Sequence, residues 1–145
     1  MTDQLKTEGN FTYAEAGEGP SIIFLHGLMG ALSNFDATFN YFSNNGYNVL
    51  IPELPLYSLP LLKTNVKNMS KFLHDFIEYK ELKNVILLGN SLGGHIGLYY
   101  TKHYPEKAQA LVLTGSSGLY EKAMGDSFPK RGNYEYIEEK TKAVF

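Results

Sequence analysis

Cysteine is absent from this 145-residue chain. That excludes disulfides, thiolate metal sites and a cysteine nucleophile, and it fits a reducing compartment. An excess of one charge is missing too: 13 Lys and Arg stand against 15 Asp and Glu, a net charge of −2. No basic surface therefore points to nucleic acid, and the 11 tyrosines show no stacking pattern for bases. No apolar run is long enough to span a bilayer. Residues 1–10 carry no apolar core of a signal peptide, so the expected location is the cytoplasm. The histidines His26, His74, His95 and His103 are scattered without metal-ligand spacing. Neither a metal nor an organic cofactor is expected. Repeats and low-complexity tracts are also missing.

What is present is an ordinary globular balance, 43% hydrophobic and 19% charged, in a chain of one domain's length. Short apolar runs predict strands over 11–16, 21–25, 47–51, 85–88 and 110–113. Between them the spacing predicts helices over 33–45, 65–79 and 92–103. Phe35, Phe39 and Phe42 lie on one face of the first, and Met69, Phe72, Leu73, Phe76 and Ile77 on one face of the second. Gly46 and Pro105 supply stop signals. Apolar strands alternating with helices imply an α/β fold, a mostly parallel sheet with helices on both faces. Residues 1–118 read as its core. From 119 to 145 the character changes to that of a cap or lid, with a further helix over 134–144.

Residues 85–95 read Val-Ile-Leu-Leu-Gly-Asn-Ser-Leu-Gly-Gly-His. An apolar strand enters Gly89-Asn90-Ser91-Leu92-Gly93, and a glycine-rich helix start follows. The bare five-residue motif carries little weight; its setting between strand and helix carries much more. It is the form of a nucleophile elbow, in which a serine is held on a tight turn with its hydroxyl exposed. Gly89 and Gly93 let the turn close without a Cβ clash. His26-Gly27-Leu28 follows the second strand. In this reading the Leu28 and Leu92 N–H groups form an oxyanion hole, and His26 is a structural loop residue. The N-terminus of the helix after Ser91 adds favourable partial charge. Met29 and Leu119 are candidate substrate-lining residues, with Tyr57, Tyr120, Met124 and Phe128 as further candidates for a pocket or cap seam. His95 is expected one turn down the helix rather than at Ser91, and Glu121 and Asp126 read as solvated loop charges.

The order of these motifs, with Tyr104-Pro105-Glu106-Lys107 and Leu111-Val-Leu-Thr-Gly115, resembles the α/β-hydrolase fold superfamily. Within it, the chain is most similar to the cap-bearing esterases, lipases and C–C hydrolases. The resemblance implies a Ser-Asp/Glu-His triad in that chain order with Ser91 as nucleophile, the acid and histidine arising in a C-terminal segment beyond a cap. The expected function is hydrolysis of a carboxylic ester or related acyl substrate through an acyl-enzyme on Ser91, with the 145 residues alone inactive. A serine at 91 argues against the haloalkane dehalogenases and epoxide hydrolases of the superfamily. The loop from Pro52 to Pro60 departs from the family pattern in having no glycine. The alternatives are a non-catalytic binding module of the same fold, or an acyltransferase or cofactor-free peroxidase. The expected partners are a small acyl substrate and, through the open edge at 111–113, a second copy or a C-terminal fragment.

Overall fold

The computed structural model describes residues 5–28, 32–58, 60 and 63–119. Within them lie six strands, β1 (Leu5–Glu8), β2 (Phe11–Ala16), β3 (Ser21–Leu25), β4 (Asn48–Pro52), β5 (Val85–Asn90) and β6 (Ala108–Thr114). Three helices accompany them, α1 (Asp36–Ser43), α2 (Val66–Tyr79) and α3 (Leu92–His103). The sheet order is β1-β2-β4-β3-β5-β6. β4, β3, β5 and β6 run parallel, whereas β1 pairs β2 and β2 pairs β4 antiparallel. The expected mostly parallel α/β sheet is therefore present.

Strand alternation sorts the core onto two faces. Ile23, Leu25, Leu50 and Leu87 bury against Met69, Leu73, Phe76 and Ile77 of α2 and Ile96 and Tyr100 of α3. Ile22, Phe24, Val49 and Ile51 point the other way, against Phe35 and Phe39. Each such large side chain contributes about 1.5–3 kcal/mol on burial. α2 starts one residue later than its spacing predicts because Asn65 is its cap: the Asn65 side chain accepts the Asn68 N–H at 2.9 Å. The helix expected over 33–45 is shorter. A 3-10 turn, Leu32–Phe35, precedes α1, and the chain leaves α1 through Gly46 at φ 83°.

β1 has no counterpart in the sequence pattern. All four of its residues are exposed, so no face alternates. It forms because Gly9, at φ 57°, opens a two-residue hairpin turn to β2. The hairpin is tied to the end of α2. Lys80 Nζ lies 3.0 Å from both the Tyr13 hydroxyl and Glu15 Oε2, Lys6 reaches Glu15 at 2.9 Å, and the Tyr13 hydroxyl donates to Glu8 at 2.6 Å. At the other end β6 is the edge of the described sheet, with Val112 45% exposed.

Candidate active site

The backbone builds the site. β5 delivers the chain to Ser91, which adopts φ 52° and ψ −117°, a conformation L-residues avoid. Its peptide groups hold it there. The Ser91 N–H donates to Thr114 O at 3.1 Å, and the Ser91 carbonyl accepts from Gly94, His95 and Ser117 N–H at 3.1, 3.3 and 3.2 Å. The Asn90 amide reinforces the tie to β6 through Thr114 O at 3.0 Å and Thr114 Oγ1 at 3.1 Å. The Ser91 side chain is exposed at the start of α3. The motif glycines are required by contact. A Cβ on Gly89 would stand 2.5 Å from Gly94 Cα, and one on Gly93 would stand 2.0 Å from Leu25 O.

The loop after β3 meets the elbow at Gly27, where a Cβ would lie 3.1 Å from Ser91 Cβ and 3.6 Å from Ser91 Oγ. Leu28 directly follows Gly27, and Leu92 directly follows Ser91, so both expected oxyanion donors flank this contact. His26 is buried, 6% exposed. Its Nε2 accepts the Leu54 N–H at 3.0 Å, which leaves the proton on Nδ1 for donation to Gly27 O at 3.0 Å. A cavity of about 430 Å³ opens beyond this loop between Glu53, Leu54, Tyr57 and Phe72, and another of about 450 Å³ between His26, Asn34, Thr38 and Asn90.

The family model described as alpha/beta hydrolase fold matches residues 20–143. The chain belongs to the alpha/beta hydrolase fold family. One similar structure in this family is that of MGS-MChE2, an alpha/beta hydrolase enzyme from the metagenome of sediments of the Mar Chica lagoon, Morocco. It is 55% identical with a TM-score of 0.77, over 96% of this chain and 63% of that one. The 2-hydroxy-6-oxo-6-phenylhexa-2,4-dienoate hydrolase of Comamonas testosteroni is 30% identical over 118 residues, 74% of this chain and 40% of the relative. Lipase 1 of Psychrobacter immobilis is 29% identical over 80% of this chain and 38% of its own length. The chain thus spans about 40% of the length of these two relatives. An epoxide hydrolase of Vigna radiata shares the fold, with a TM-score of 0.70 at 24% identity.

Of the remaining histidines of this family member, His103 and His74 have partners of their own. His95 is half-buried beneath the turn after β6, so that a Cβ on Gly118 would stand 2.5 Å from its ring. His103 bonds Tyr99 O at 2.7 Å, and His74 stacks on Tyr104 with ring centroids 4.1 Å apart. Among the described residues no group of His, Asp and Glu could hold a metal ion, and no helix is long and apolar enough to cross a membrane. Leu119 is exposed. Met29, Tyr120, Glu121, Met124, Asp126, Phe128 and the helix expected over 134–144 lie outside the described residues. Two contributors have no sequence motif to mark them. Ser117 donates to the Ser91 carbonyl, and Tyr57 donates its hydroxyl to the Leu28 carbonyl. The Gly-Ser-Ser-Gly run after Thr114 was the available signal for the first.

Proposed function

We propose that the protein is a serine hydrolase of carboxylic ester or related acyl substrates. Ser91 Oγ attacks the acyl carbon and passes its proton to a histidine base. The Leu28 and Leu92 N–H groups hold the resulting oxyanion, and the positive end of α3 adds to its stabilisation. Collapse expels the alcohol, which takes the proton back from the imidazolium. Water, deprotonated by the same histidine, then attacks the acyl-enzyme and frees the acid and Ser91. None of the four histidines of these 145 residues is assigned as the base; the histidine and its acid partner are assigned to a further, C-terminal segment. The observation that carries this reading is Ser91 itself: an exposed serine in a strained conformation at the start of α3, set against Gly27. Hydrolases and a lipase among the relatives support the same class.

Fluorophosphonate labelling followed by intact mass tests it. In the full-length protein, which carries the histidine, covalent labelling lost in Ser91→Ala is expected; a folded full-length wild-type protein that stays unlabelled would overturn the proposal. The exposed edge of β6 supports self-association as part of the same proposal, and a single monomeric species in sedimentation velocity counts against that part.

A further inference from the structure

We propose that the Tyr57 hydroxyl is a positioning group that restrains the residue carrying the Leu28 N–H; the inference rests on the reading of Ser91 as nucleophile. The Leu28 N–H lies in the peptide plane it shares with the Gly27 carbonyl, and a tie on the next plane restrains the Leu28 Cα at which that plane ends. The plane before Leu28 contains the Gly27 carbonyl, which accepts His26 Nδ1–H at 3.0 Å. The plane after it contains the Leu28 carbonyl, which accepts the Tyr57 hydroxyl. Gly27 has no side chain, and the Leu28 side chain is 51% exposed.

Both ties originate in one segment. Leu54 and Leu56 are buried, and Glu53 N–H bonds Thr12 O at 2.8 Å. These anchors fix the loop after β4. From it Leu54 N–H holds His26 in the Nδ1–H tautomer, and three residues on Tyr57 turns toward the Leu28 carbonyl. The Tyr57 ring is 80% exposed. Burial gives it little reason to lie there, so the hydroxyl bond decides its place. A strap of this kind acts on an oxyanion donor without touching substrate, and a small drift of such a donor is costly to the reaction.

Tyr57→Phe removes the bond and keeps the ring. Three readouts separate positioning from structure: the inactivation constants of a fluorophosphonate, hydrogen–deuterium exchange of peptides spanning His26 and Leu28, and the melting temperature. The expected result is a maximal inactivation rate lowered about tenfold, with KI and the melting temperature unchanged and exchange in that loop accelerated. Unchanged exchange overturns the strap, and accelerated exchange with an unchanged inactivation rate overturns its part in the chemistry. If the full-length wild-type protein is not labelled at all, the nucleophile reading fails and the chemical role of Tyr57 fails with it. The exchange measurement then still reports whether the bond holds the loop.

Discussion

Gly27 and Ser91 touch across the pairing of β3 and β5: a Cβ on Gly27 would lie 3.1 Å from Ser91 Cβ. That is a tight contact, and only a shift of a few tenths of an ångström in either loop relieves it. Gly27→Ala is therefore expected to slow fluorophosphonate labelling by at least about tenfold. The melting temperature should fall by no more than the equivalent of about 1 kcal/mol. Equal labelling rates for the two proteins would show that the contact does not constrain the nucleophile.

The two ends of the glycine-rich start of α3 should respond differently to the same change. A methyl at Gly93 meets the Leu25 and His26 carbonyl oxygens at 2.0 and 2.8 Å, and backbone on that side cannot give way. Gly93→Ala should cost about 3 kcal/mol or more. A methyl at Gly97 meets Leu111 Cδ1 at 2.8 Å, the far end of a side chain that can rotate. The helix propensity of alanine offsets that repacking, so Gly97→Ala should stay within about 1 kcal/mol of wild type. Urea midpoints measure both.

This contrast shows what was legible in the sequence. Gly89, Gly93 and the apolar face of α2 are local features, written as residue type at fixed spacing, and the elbow and the helix follow from them. β1 was not legible because Leu5–Glu8 bury neither face and leave no period to read. The Tyr57–Leu28 bond was not legible because it joins two loops that the sheet alone brings together. His26 lay between these cases. Its role as a loop residue was expected, but its partner Leu54 was not.

Ser91 carries a conformational cost that its chemistry does not remove. At φ 52° and ψ −117° a residue with a Cβ is strained. Ser91→Gly should relieve more strain than it loses to the freedom of the unfolded glycine, whereas Ser91→Ala keeps the Cβ and the strain. Both variants abolish labelling, but Ser91→Gly should be the more stable by about 1 kcal/mol. Calorimetry that ranks them the other way would mean the turn is not strained.

Glu15 predicts an acid-sensitive tie between the hairpin and α2. Burial would raise its carboxyl, but hydrogen bonds from the Lys6 and Lys80 ammoniums outweigh that and hold it below its ordinary 4.5. A carboxyl depressed on folding stabilises above its unfolded value and loses that contribution as pH falls through the folded one. Glu15→Gln should lower the urea midpoint at about pH 7, and the difference from wild type should shrink as pH falls below 4.5. A deficit that persists unchanged in acid would point to packing instead.

The parallel pairing of β3 with β5 also sets an order of events. Leu25 sits opposite Gly89, and α1, β4 and α2 lie between them in the chain. Closing that long loop comes late in folding, because the entropy of closure must be met before the contact rewards it. No nascent stretch ending before β5 brings Gly27 to Ser91, and on the proposed reading a chain with the two strands apart presents Ser91 as an ordinary alcohol. On the proposed reading, reactivity at Ser91 would act as a clock on folding, starting only once the centre of the sheet has assembled.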